Sequence, residues 1–384
     1  MSDELRKQRL FSPGPTPIPL QFQMAALDKN PYHRTEEFYT VFLKCRKSLA
    51  KVMYSQQLPL ILSCSGTGAL ESSVVNLTDV NDQVVVINGG KFGQRWSQIC
   101  SAYSCKVEEI KVPWGQAPDP SNLASTLSSL ENVKVVFFQA LETSTGVGLP
   151  VKELAQVVKN HSDALVVVDA VSGFGSEMIK MDEWGIDALV TGSQKGLGIP
   201  PGLAFINLSE KAISRLTDRP KFYFDLRREL KEQKDGKSAF TPATHLVLML
   251  ERSLDYINKL GFEQVHLKHR AVAEAVRSTL KYMGLELFAE KKPACGLSSV
   301  LLPSNVDGNV LLRELAEKRQ MIFAGGQEQY KGRLLRFAHM GYFDLDDIVA
   351  GLIALQEQLE LLGHEKADVS VAQHFWRSYH GRTL

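Results

Sequence analysis

Cysteine is scarce in this chain and poorly placed for structural work. The 384 residues include five cysteines, an odd number, and no C-x-x-C pair. Cys100 and Cys105 are close, but nothing completes a metal set, and no two of the nine histidines stand at metal-ligand spacing. Neither a disulfide framework nor a metal centre is expected, and a reducing, cytoplasmic setting suits the composition. Long apolar runs are missing as well. No stretch of 18 apolar residues occurs, so no membrane span is expected. The opening MSDELRKQRLFSPGPTP lacks the apolar segment of a secretory signal. Net charge is almost nil, formally +1, so no strong field recruits nucleic acid or an anionic membrane. There is no internal repeat and no low-complexity tract. Neither a Walker loop nor G-x-G-x-x-G occurs, which disfavours nucleotide binding.

What is present is a long chain of ordinary soluble composition, 44% hydrophobic and 23% charged. Its length calls for two or three cores packed together. Pro13, Pro15, Pro17 and Pro19 prevent helix near the start, so residues 1–20 read as an extended arm. Glu36 to Val52 reads as an amphipathic helix anchored by Phe38, Phe42, Leu49 and Val52. Strand-like runs follow at 58–63, 83–88, 133–139, 164–171, 186–194 and 202–208, with helices after the 58–63 and 83–88 runs and at 151–160. Strands alternating with helices imply an α/β fold, a mostly parallel sheet covered on both faces. This large domain is placed at 21–243. A connecting helix and a smaller α+β domain follow at 244–364, with strands in GLSSVLLP and RLLRFAH and helices in NVLLRELAEKR and DIVAGLIALQEQLELL. Residues 365–384 read as a loosely held tail.

Ligands of open α/β sheets gather at the carboxyl ends of strands, and four such ends carry suggestive residues. Ser65-Gly66-Thr67-Gly68 precedes a predicted helix, where free N–H groups and the helix dipole make an anion site; a plain N-cap explains it equally well. Asp169 ends the apolar strand ALVVVDAV. A carboxylate there must find water, a donor or a cation, and either a helix cap or a protonated pyridine nitrogen would serve. Lys195 sits in TGSQKGLGIPPG, a glycine- and proline-rich turn. Desolvation there would make it a nucleophile, while an exposed turn lysine is the plain alternative. Glu142-Thr143-Ser144-Thr145-Gly146 follows VKVVFFQ as a polar turn whose hydroxyls suit a cofactor oxygen. Singly, each signal is weak. Their order, each after its own strand with 26 residues from Asp169 to Lys195, makes the set specific.

With these segments in view, the sequence resembles the class V aminotransferases of PLP fold type I, particularly the alanine–glyoxylate and serine–glyoxylate group. The likeness runs from FSPGPTPIP to RFAHMGYFDLDDI and is most specific in VVDAVSGFG, TGSQKGLGIPPGLAFI and SGTGALES. It implies pyridoxal 5′-phosphate as cofactor, with a seven-stranded sheet in the large domain. It implies Lys195 as the Schiff-base lysine and Asp169 as partner of the pyridine nitrogen. Ser65, Gly66, Thr67 and Gln194 would hold the phosphate, Thr143 would touch the ring, and Phe92 would stack on it. Arg336 would clamp the substrate carboxylate, as a bidentate guanidinium suits, and Gly14 would belong to a loop closing over the substrate. Thr241 would reach the phosphate of a partner subunit, implying a homodimer with shared sites. Where many relatives carry tyrosine three residues before that threonine, this chain has Ser238. His33-Arg34 matches a structural or interface segment.

The activity so implied is transfer of an amino group from a small amino acid, alanine or serine, to a 2-oxo acid such as glyoxylate or pyruvate. Other chemistry on the same fold is the alternative: phosphoserine, aspartate or 2-aminoethylphosphonate transamination, a lyase, or a desulfurase. A desulfurase needs a mobile nucleophilic cysteine, for which Cys295 in KKPACGLSS is the sole candidate, in a poor context. A non-catalytic accessory subunit is a further alternative. Arg34, Arg95 and Arg333 are each candidates for a second cationic group toward a larger donor.

Overall fold

Alternation of apolar side chains along short strands divides the interior of the large domain into two faces. In the strand Gln83–Asn88, Val84 and Val86 point to one apolar cluster and Val85 and Ile87 to another. Val135 and Phe137 side with the first pair, Val136 and Phe138 with the second. A sheet with two apolar faces must be covered twice. Helices Gly66–Leu77 and Lys91–Ala102 contribute Leu70, Val74 and Trp96 on one side. Helices Glu36–Val52, Val151–His161 and Thr244–Leu260 contribute Phe42, Leu154 and Leu250 on the other. The computed structural model describes residues 7–27, 31–289, 291–365, 367 and 370–383.

The central sheet has seven strands, in the order Leu60–Leu62, Ala204–Leu208, Ala188–Gly192, Leu165–Asp169, Val135–Gln139, Gln83–Asn88 and Lys106–Lys111. Only Ala204–Leu208 runs against the rest. The segments that follow strands 60–62, 83–88, 135–139, 165–169 and 188–192 therefore all leave from one edge of the sheet. Ser65, Phe92, Glu142, Asp169 and Lys195 lie on or just beyond those strand ends.

The second sheet has five strands, ordered Arg9–Phe11, Met321–Gly325, Leu334–Ala338, Leu297–Leu301 and Glu286–Leu287. The start of the chain is thus not wholly an extended arm. Arg9–Phe11 pairs in parallel with Met321–Phe323, and Phe11 is wedged between the rings of Phe323 and Phe337, with centroids 4.8 and 4.9 Å away. The prolines forbid helix but leave the residues before them free to pair. Among the described residues, no helix is long and apolar enough to cross a membrane.

The expected loose tail is also corrected. Val371–Thr383 is a helix whose Phe375 is fully buried and joins Val276 and Leu280 of helix Phe262–Tyr282 in the small domain's core. The His374 ring stacks on Tyr282 at 4.3 Å. The helix's apolar face, Val371, Phe375 and Tyr379 flanked by Ala372 and Trp376, is interrupted by His374, Arg377, Ser378 and His380, so it does not stand out in so polar a segment. Phe375→Ala should cost about 3–5 kcal/mol in chemical denaturation, the usual loss for an emptied aromatic core site. A loss under about 0.5 kcal/mol, the scale of surface changes, would restore the loose tail.

Candidate active site

The loop after strand Ala188–Gly192 is fixed from several sides. The Ser193 hydroxyl donates to the Pro200 carbonyl at 2.6 Å and accepts from the Leu203 amide at 3.2 Å. The Ser253 hydroxyl donates to the Leu197 carbonyl at 2.6 Å. Thr16, from the start of the chain, donates its amide to the Gln194 carbonyl at 3.1 Å and its hydroxyl to the Lys195 carbonyl at 2.9 Å. Lys195 is held at both ends, since its Nζ donates to the Pro13 carbonyl. Gly14 lies flat on its side chain. With φ +131°, Gly14 has a backbone few other residues adopt, and a Cβ there would stand 2.5 Å from Lys195 Cε.

Lys195 and Asp169 line one cavity of about 270 Å³. Gly14, Ser65, Gly66, Thr67, Phe92, Arg95 and Gln194 share its walls. Sequence reasoning therefore brought together eight residues that meet in space. Burial dominates the electrostatics. It lowers the Lys195 ammonium to a pKa of about 8, aided by Arg336 and Arg95, although the negative charge of Asp169 works against it. Burial raises Asp169 to about 6, although the Val171 amide donates to its Oδ1 at 2.7 Å and Arg95 and Lys195 favour its charge. Desolvation outweighs attraction at both groups. At neutral pH Lys195 is still mostly protonated, but its free-amine share, roughly one tenth, far exceeds that of an ordinary lysine.

One end of the cavity is the N-terminus of helix Gly66–Leu77. Ser65 caps it, accepting from the Gly68 amide at 3.3 Å. Arg95 donates to Thr67 Oγ1 at 3.2 Å, and its guanidinium lies 4.8 Å from the centroid of the Phe92 ring. Of the three arginines considered for a second cationic group, Arg95 lines the cavity, while Arg34 and Arg333 are exposed elsewhere.

Thr143, Arg336 and Thr241 lie outside those walls. Thr143 is buried, and its hydroxyl donates to Ser172 Oγ at 2.7 Å. Its carbonyl accepts from Arg336 Nη1 at 2.9 Å, and the Gly325 carbonyl accepts from Arg336 Nε at 2.8 Å. Arg336 is buried, its pKa lowered to about 10 by desolvation, and it forms no ion pair among the described residues. A buried guanidinium held only by carbonyls is expensive unless an anion arrives. Thr241 is exposed just before helix Thr244–Leu260, and the Ser238 hydroxyl donates to the Phe240 carbonyl at 2.6 Å. His33 and Arg34 lie before helix Glu36–Val52, Arg34 Nε donating to His33 Nε2 at 3.4 Å. Cys295 is pushed up by burial and by Glu177, so its thiol is a poor nucleophile.

Two features escaped the sequence. Arg95 was one of three arginines with nothing to separate them. The Glu142 side chain was passed over in favour of the turn's hydroxyls, yet it is almost wholly buried beside the cavity.

Comparison with known proteins joins this geometry to a family. The family model described as aminotransferase class V matches residues 20–329. A Synechococcus protein named soluble hydrogenase, small subunit, is 36% identical, over 93% of this chain and 94% of its own. A serine–glyoxylate aminotransferase of Hyphomicrobium methylovorum is 31% identical, over 91% of this chain and 89% of its own. The solved structure of a Thermus thermophilus aspartate aminotransferase of subgroup IV superposes with a TM-score of 0.87 at 32% identity, covering 92% of this chain and 99% of that one. Fold and sequence converge, and the chain belongs to the class V aminotransferases, transaminases built on the PLP fold type I architecture.

Proposed function

We propose that this transaminase uses pyridoxal 5′-phosphate to move the amino group of alanine or serine to glyoxylate or pyruvate. The observation that carries the reading is one cavity in which a buried lysine and a buried aspartate share walls with a helix N-terminus. The residues fit the cofactor in kind. A helix N-terminus and Arg95 suit a phosphate. The Gln194 carboxamide lines the cavity with its Oε1 buried and lacking a hydrogen-bond partner. Gly14 and Gly66 leave room where a Cβ would meet Lys195 or Val171 within 3 Å.

Bound there, the cofactor supplies a ring that withdraws electrons from the substrate Cα. Ser65, Gly66, Thr67 and Gln194 hold its phosphate, with Arg95 as the neighbouring cation. Asp169 keeps a proton on the pyridine nitrogen, and Phe92 covers the ring. Lys195 contributes a neutral amine as nucleophile and then carries the proton to and from the substrate Cα. Arg336 takes the substrate carboxylate, the Thr143 carbonyl fixes its angle, and Gly14 closes the cavity over the lysine. Thr143 keeps its place toward the ring: its hydroxyl donates to Ser172 and retains its lone pairs to accept.

The reading includes a homodimer in which Thr241 reaches the partner's phosphate. Its support is that Thr241 is exposed and follows Phe240, whose ring packs on the exposed rings of Phe222 and Tyr223. It also includes a cytoplasmic location, supported by five free cysteines. Serine as donor draws on the relative named for serine and glyoxylate; aspartate is the competing donor, suggested by the Thermus aspartate aminotransferase. A second reading, an accessory subunit of another enzyme, draws on the relative named as a hydrogenase subunit. Retention of a buried, amine-poised Lys195 weighs against it.

A panel of amine donors against glyoxylate, pyruvate and 2-oxoglutarate should give the highest kcat/KM with alanine or serine. Arg336→Ala should raise the donor KM roughly 10- to 100-fold, the worth of a charge-assisted pair. Lys195→Ala should lose the near-visible absorbance that appears on adding cofactor, and at least about a hundredfold in rate. A variant with both intact, or a wild-type protein that stays colourless, would overturn the reading. In cofactor-stripped protein, acetylation of Lys195 followed by peptide mass spectrometry should show a midpoint near pH 8, rising with pH as the amine loses its proton. A midpoint above about 10, the ordinary lysine range, would show that burial does not tune it.

A further inference from the structure

Glu142 ends the short strand Leu141–Glu142, just past the central strand Val135–Gln139. Its side chain is 1% exposed. Every group around its carboxylate is a donor. Oε2 accepts from the Gly93 amide at 3.0 Å, the Phe92 amide at 3.2 Å and Gln139 Nε2 at 2.8 Å. Oε1 accepts from the Ser144 amide at 3.1 Å and from the Ser144 hydroxyl. Burial pushes its pKa up while these donors hold it down. An acceptor-only carboxylate matches such a set, whereas a protonated acid would have few acceptors to offer its proton to. The two amides belong to the open first turn of helix Lys91–Ala102, so a charge there also meets the helix dipole. Gly90 makes the approach possible: a Cβ there would stand 2.4 Å from Ser144 Oγ and 2.6 Å from Glu142 Cδ.

The same turn receives the small domain. Besides Arg336 on the Thr143 carbonyl, Ser299 donates its hydroxyl to the Thr145 carbonyl. The Ala294 amide donates to the Gly146 carbonyl at 2.9 Å, and the Gly148 amide to the Lys292 carbonyl at 2.8 Å. One turn therefore touches both the helix start that carries Phe92 and Arg95 and the strand that carries Arg336.

We propose that Glu142 is a positioning residue, its carboxylate locking the Phe92 helix to the turn on which Arg336 rests, so that ring cover and carboxylate clamp keep one fixed relation. This rests on the functional reading above for the roles of Phe92 and Arg336. The lock itself is a statement about the free protein.

Glu142→Gln keeps the shape but replaces one acceptor oxygen with a donor facing donors. In cofactor-free protein, amide hydrogen exchange at Phe92 and Gly93 should quicken at least about tenfold, the scale of one lost charged hydrogen bond. This readout holds whether or not the protein binds pyridoxal phosphate, so it separates failure of the lock from failure of the functional reading. In loaded protein, equilibrium dialysis should show the cofactor Kd raised about tenfold, with a weaker visible circular dichroism band at equal occupancy. Phe92→Leu should raise Kd similarly, and the double variant about tenfold rather than a hundredfold, because both changes disable one device. Fully additive losses, unchanged exchange, or a fall in melting temperature with Kd and dichroism unmoved would overturn the proposal. Should Glu142→Gln not fold, Ser144→Ala removes the hydroxyl donor alone; it should quicken exchange at the same two amides by a smaller factor, and unchanged exchange there would overturn the lock.

Discussion

Charge held away from water governs this molecule. Lys195, Asp169, Glu142 and Arg336 are all buried near one edge of the central sheet, where an isolated ion would cost several kcal/mol. None is neutralised by a contact ion pair among the described residues. Carbonyls hold the cations, and amides hold the carboxylates. The backbone must therefore be placed finely, and the parallel sheet supplies that placement. Parallel strands leave the sheet at a common edge, so four unrelated loops line one cavity and a fifth packs beside it.

The sequence was most legible where apolar alternation ran strongest. The helix from Glu36 to Val52 and the strand from Gln83 to Asn88 appear at the bounds read from the pattern. The strand Lys106–Lys111 was not anticipated, because it lies at the sheet edge and four of its six residues are charged. Edge strands need only one apolar face. Arg9–Phe11 escaped for another reason: its partner lies more than three hundred residues along the chain, and local pattern carries no information about such pairings.

The site was legible in proportion to how much of its chemistry resides in residue type. A lysine in a glycine-rich turn and an aspartate ending an apolar strand are conspicuous, and both line the cavity. Thr143 was selected for a hydroxyl that turns out to serve Ser172, while its carbonyl, which no sequence displays, holds Arg336. Glu142 was overlooked because a glutamate in a polar turn ordinarily faces water. Its burial follows from Gly90, fifty-two residues away, which clears the space it fills.

The parallel pairing of Arg9–Phe11 with Met321–Phe323 makes this short strand part of the second sheet. The chain then runs straight on to lay Pro13, Gly14 and Thr16 over Lys195. One continuous stretch is thus both a strand of the second sheet and the cover of the lysine. A displacement of that sheet pulls directly on the cover.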